Sequence, residues 1–167
     1  MLMATGERWH ALEVTIKEEK RIARRLAARG FEAFLPGHAG DRDRPLFDGV
    51  VFCRFRPQQR PRVLETKGVL SVLAMAGDGS ADQPVSGLRR LIDSGRRFQP
   101  WRRLRSGGDP VLVEAGPLEG LSGRLKAFPC SVRVVLVWEG LQPAVAVDLE
   151  GDPVRFLPQA SGSALLN

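Results

Sequence analysis

The residue types that carry covalent chemistry are few in this chain, and they are scattered. It has two histidines, two cysteines and no tyrosine in 167 residues. His10 falls within an apolar stretch that reads as a strand, and His38 within a polar loop, so neither is positioned as a general base. Cys53 and Cys130 each interrupt an apolar run and lack further ligands at zinc spacing, which suits reduced core thiols. Asp41 and Asp43 alternate with Arg42 and Arg44, a pattern of a solvated loop rather than a metal site. Gly77-Asp78-Gly79 is turn chemistry, and no GxxxxGK[ST] phosphate loop occurs. The expectation is a protein that is not an enzyme and uses no metal or cofactor.

What the residues can do is bind, and the charge is sorted for it. The net charge is +6, but residues 1–106 hold 21 Lys+Arg against 12 Asp+Glu (+9), while residues 107–167 hold 4 against 7 (−3). A basic front and an acidic back predict different partners for the two halves. The densest cationic stretch is Lys17, Lys20, Arg21, Arg24, Arg25 and Arg29, which at about 100° per residue shares half of a helical wheel. Ile16, Ile22, Ala23, Leu26 and Ala27 take the other half. Only Glu18 and Glu19 offset the six cations, so an acidic partner competes with plain solvation as the reason for the face.

The elements that must position these groups can be read from periodicity. Residues 8–14 read as a strand, Thr15 and Glu18 as a capping box opening a helix, and Gly30 as its stop. Residues 31–36 and 45–55 read as strands flanking a polar loop at 37–44, with Gly49 marking a bend or close backbone approach. A weak helix at 58–65, a strand at 69–75 and a helix at 82–94 complete an α+β front domain, residues 7–96. Residues 97–106 read as a linker, with Trp101 free to dock on either side. Five short strands follow at 111–114, 123–128, 131–138, 145–148 and 154–156. They fit a small all-β, SH3-like barrel over residues 107–158, with 159–167 as a flexible tail.

One spacing is specific. In residues 107–125, Val111 and Val113 alternate into a Gly116-Pro117 turn, Leu118 and Gly120 follow, and Gly123 opens the next strand. This resembles the KOW motif. The front half then falls into family order as well: Trp9 with residues 11–14, Glu19 and the basic helix, residues 30–36, residues 46–52 and residues 68–73. Over residues 7–157 the chain resembles NusG-type transcription factors, in which a NusG N-terminal domain precedes a KOW barrel.

The resemblance implies a bacterial transcription elongation factor that modulates pausing or termination, as a processivity or antitermination factor. RNA polymerase would be bound at the coiled-coil tip of its clamp through Trp9, Phe34, Phe47, Val50 and Phe52. Lys17, Lys20, Arg21, Arg24, Arg25 and Arg29, with the linker arginines Arg102, Arg103 and Arg105, would touch upstream or non-template DNA. The KOW motif residues Gly116, Pro117, Leu118, Gly120 and Gly123, with Phe128, would recruit a termination factor or a ribosomal protein. Relatives usually carry Pro and an aromatic where this chain has Asp48 and Val50. That divergence and the compact 37–44 loop point to a specialised paralogue, RfaH-like or UpxY-like, over a housekeeping NusG. The alternative is a KOW-type ribosomal or ribosome-assembly RNA-binding protein, against which the acidic barrel counts. A cytoplasmic monomer with no membrane partner is expected.

Overall fold

The first strand, β1 (Arg8–Val14), alternates its side chains across the sheet and buries Leu12 and Val14 on the side that becomes the front core. The next helix is α1 (Glu19–Ala28), followed by β2 (Glu32–Phe34), β3 (Gly37–His38), β4 (Asp41–Pro45) and β5 (Val50–Phe55). A 3-10 turn (Pro57–Gln59) leads into α2 (Arg60–Leu64), then β6 (Val69–Val72) and α3 (Asp82–Asp93). The remaining strands are β7 (Phe98–Trp101), β8 (Asp109–Val113), β9 (Ser122–Phe128), β10 (Ser131–Leu136), β11 (Ala144–Leu149) and β12 (Val154–Phe156). The computed structural model describes residues 6–75, 79–101, 108–128, 131–138, 141 and 144–158.

The chain divides into two compact units: Met1–Arg89 with Trp138–Gln142, and Arg90–Val137 with Pro143–Asn167. The first holds an antiparallel sheet in the order β2-β5-β1-β6. As an inner strand, β5 buries five of its six residues, so VVFCRF reads as a nearly continuous apolar run. On one face Leu12, Val14, Val51, Cys53, Phe55 and Val69 pack with Ile22 and Leu26 of α1 and Val63 of α2. The second unit carries a six-stranded sheet in the order β12-β8-β9-β10-β11-β7. Its alternate positions Val111, Val113, Val134, Leu136, Val145 and Val147 are buried. The α+β front and the all-β back agree with the sequence reading.

Three local expectations are corrected. The capping box does not form: Glu18 is the N-cap residue with no side-chain cap bond, and the Thr15 hydroxyl instead donates to the Gly68 carbonyl at 3.4 Å. Lys17 takes φ +71°, so residues 15–18 make a turn ahead of the helix, and Ile16 is exposed instead of joining the core. Residues 37–44, read as loop, hold the β3–β4 ribbon, with Gly37 opposite Pro45 and His38 opposite Asp41. Residues 98–101, read as linker, form β7 and pair with β11, Trp101 opposite Ala144. Because β7 is an edge strand, Pro100 costs it no ladder bond that a neighbour would need. The expected close approach at Gly49 is present, its carbonyl accepting from the Val14 N–H at 2.9 Å.

Burial also decides the chemistry of Cys53. With no exposed surface and the apolar core around it, its thiol is pushed up to about 12 from an ordinary 9.0 by desolvation. A thiol raised in the fold contributes stability that is whole below about 9 and lost as pH rises towards 12. In a Cys130→Ser background, Cys53 should resist alkylation at pH 8 until denaturant is added. Rapid labelling of the native protein would contradict this placement. Cys130 itself lies outside the described residues.

Candidate aromatic face and basic helix

The face of the front sheet opposite the helix-packed core carries the aromatic side chains. Register fixes this: Trp9 lies opposite Arg54, Ala11 opposite Phe52, and Phe52 opposite Phe34. These residues therefore share the side that Leu12 and Val51 do not. Trp9 meets Phe34 edge-on at 6.3 Å between ring centroids, Phe34 meets Phe52 at 6.0 Å, and Phe52 meets Phe47 at 6.2 Å. The result is one row of four rings. Val50 falls on the same face, opposite Glu13.

The backbone around Trp9 is pinned from both directions. Its N–H donates to Asp82 Oδ1 at 2.8 Å, and its carbonyl accepts from the Ala81 N–H at 2.7 Å. Asp82 opens α3, so these two hydrogen bonds set where the helix starts over the sheet. A second anchor lies at the other end of β1. Glu19, only 4% exposed, accepts the Gly49 N–H at 2.8 Å through Oε1 and so ties α1 to the segment that carries Phe47 and Val50.

The sequence-expected open apolar patch is not what the row presents. Phe52 and Phe47 are 0% and 1% exposed, Val50 7% and Trp9 8%, and only Phe34 keeps partial exposure. The rings bury one another, and the Arg89 guanidinium covers Trp9 and Phe34 at 4.9 and 5.1 Å from their centroids. What remains open on this face is the rim: Glu13, Glu32, Arg54, Asp48 and Arg89 are exposed. Arg89 was not singled out by sequence. The signal was its position seven residues after Asp82 on a predicted helix, which puts both on one side.

The basic residues of the α1 region are arranged as follows. Lys20 pairs with Asp43 of β4 at 2.6 Å, which holds the Asp43 carboxyl below its ordinary range. Arg21 pairs with Glu18 at 3.1 Å, Arg25 donates to the Lys67 carbonyl at 2.9 Å, and Arg29 donates to the Thr66 hydroxyl at 2.9 Å. Arg24 is exposed, and Lys17 sits in the preceding turn. The Lys20–Asp43 and Arg21–Glu18 pairs are solvent-exposed, and exposed ion pairs contribute little to stability. Arg102, Arg103 and Arg105 lie outside the described residues.

In the second unit the KOW-like segment forms a closed turn. The Val113 N–H donates to the Leu121 carbonyl and the Gly120 N–H to the Val113 carbonyl, each at 2.9 Å. Gly116 and Gly120 take φ of +91° and +87°. Gly123 is required by contact: a Cβ there would lie 2.5 Å from the Val135 carbonyl oxygen. Pro117 is exposed, whereas Leu118 is 2% exposed and so presents no free contact surface. Phe128 ends β9.

Residues 7–90, half of the chain, match the family model described as NusG, transcription termination factor nusG. No curated protein matches. Among solved structures, NusG of Thermotoga maritima, studied for its domain interaction, is similar over 88% of this chain and 95% of that one, at 17% identity and TM-score 0.53. The MjSpt4:Spt5 complex in its conformation A aligns over 89% of this chain and 97% of that one, at 15% identity and TM-score 0.34.

Proposed function

The chain belongs to the NusG family and is a transcription elongation factor, and from that premise we propose that it binds RNA polymerase through the rim of its aromatic face. Of the residues expected to form this seat, Phe34 keeps open surface for contact, and Trp9, Phe47, Val50 and Phe52 are the buried floor that supports it. The observation that carries the reading is the ring row Trp9–Phe34–Phe52–Phe47 on the sheet face away from the helix-packed core. Four rings in contact, edge-on at Trp9–Phe34 and Phe47–Phe52 and tilted at Phe34–Phe52, make an apolar floor, and a preorganised floor loses little entropy when a partner lands on it. The partner is the coiled-coil tip of the polymerase clamp, and binding there restrains pausing or termination. The divergence at Asp48 and Val50 favours a specialised paralogue.

Lys17, Lys20, Arg21, Arg24, Arg25 and Arg29 then serve upstream or non-template DNA, through phosphate contacts that position the factor without reading sequence. The acidic barrel serves a termination factor or ribosomal protein through the turn around Gly116, Pro117, Leu118, Gly120 and Gly123 and through Phe128. With Leu118 buried, exposed Pro117 is the better placed of these for direct contact.

Phe34 is the right residue to change, because it is the partly exposed ring of the row, whereas Phe47 is buried and its loss would destabilise the sheet as well as alter its surface. A Phe34→Ala chain should remain folded and bind purified bacterial RNA polymerase about tenfold or more weakly, as for loss of an aromatic anchor. Undiminished affinity of the folded variant would remove the aromatic face as the polymerase seat.

A further inference from the structure

Arg89 is held over the ring row by a line of alternating charges that crosses the sheet edge. Glu7 Oε2 lies 3.9 Å from Arg54 Nε, Arg54 Nη1 lies 3.5 Å from Glu32 Oε2, and Glu32 Oε1 lies 3.3 Å from Arg89 Nη2. Glu32 thus gives one oxygen to each arginine, and Arg89 ends the series. Its guanidinium lies close to both the Trp9 and Phe34 rings while its side chain keeps 45% exposure. A guanidinium carries five N–H donors in one plane and accepts nothing. The half-share of Glu32 that Arg89 receives leaves donor edges of that plane facing outward beside an aromatic floor.

The placement follows from the fold. Asp82 is pinned to the Trp9 N–H, and seven residues on, about 10 Å along the axis and on nearly the same side of α3, Arg89 comes over the neighbouring ring. Stacking on two rings and the bond to Glu32 remove most of the freedom of a long side chain before any partner arrives. A preset cation of this kind is a means of selecting one partner chemistry.

We infer that Arg89 is a specificity-determining residue of the polymerase seat, gripping a carboxylate on the partner that stands beside an apolar side chain resting on Phe34. This rests on the aromatic face being the polymerase seat. The partner it fits is a helix tip that carries a carboxylate beside an apolar side chain.

The test compares full-length wild type, Arg89→Ala, Arg89→Lys and Phe34→Ala for binding to purified bacterial RNA polymerase core enzyme at low and high salt. Arg89→Ala should bind about tenfold more weakly at low salt, as for loss of one partner of a charge pair. The gap should narrow as salt screens the pair. Arg89→Lys keeps the charge without the planar fork and should fall between the two. If Phe34→Ala loses binding while Arg89→Ala binds as well as wild type or better at every salt concentration, the assignment of Arg89 is overturned and the seat stands. If neither variant changes affinity, the seat itself is wrong and the assignment of Arg89 falls with it.

Discussion

Phe52→Ala is expected to destabilise the front unit by about 3–5 kcal/mol, the usual cost of emptying a buried phenylalanine site. Phe52 has no exposed surface, lies between Phe34 and Phe47, and stands on β5, an inner strand paired on both sides. Inner strands cannot shift to fill a void without breaking two ladders, so the cavity persists. Against a typical total stability of about 5–15 kcal/mol, the variant should unfold at markedly lower urea concentration. Phe34→Ala, at a partly exposed ring, should cost much less. Near-equal midpoints for the two variants in urea titrations followed by circular dichroism would refute the described packing.

Arg96→Ala is the second large effect, and it falls on the back unit. Arg96 Nη2 lies 2.9 Å from Asp152 Oδ1, with the side chains 11% and 7% exposed, and Nη1 lies 3.1 Å from Glu150. Removing the arginine leaves the Asp152 carboxylate buried without its cation, which costs about 3–5 kcal/mol. Asp152 also backs the KOW turn, since a Cβ on Gly116 would sit 2.8 Å from its Oδ1. Loss of the pair should therefore loosen that turn as well as lower stability. The double variant Arg96→Met with Asp152→Leu removes both charges and should recover most of the loss. A single variant as stable as wild type, or a double variant no better than the single, would count against a paired buried charge.

Much of the fold was legible because it depends on periodicity. Residues 8–14 hold short apolar runs with Trp9, Leu12 and Val14, VVFCRF is apolar enough to be an inner strand, and Val132, Val134, Val135 and Val137 favour extended chain. The features that were not legible depend on tertiary partners. Thr15 and Glu18 satisfy the spacing of a capping box, yet the Thr15 N–H and hydroxyl turn to Gly68, more than fifty residues away. The ribbon at 37–45 is too polar to show a buried face, and Pro100 disguised an edge strand as linker. The site was legible only as a set of residue types. That Trp9, Phe34, Phe47 and Phe52 form one row follows from register, which no local pattern states. That Arg89 covers part of it follows from the pinning of α3 at Asp82. Leu118 looked like a surface contact because it sits in a Gly/Pro turn, but the turn folds it inward.

The match over residues 7–90 covers the front domain, a module that the ribosomal alternative does not predict. The central claim is that polymerase lands on the aromatic face, and contact mapping tests it most directly. A photo-crosslinking amino acid placed at Glu13, exposed and on that face, should cross-link to RNA polymerase when the complex is irradiated. The same group at exposed Glu65, just after α2, should not. Cross-linking from position 65 with none from position 13 would contradict the account.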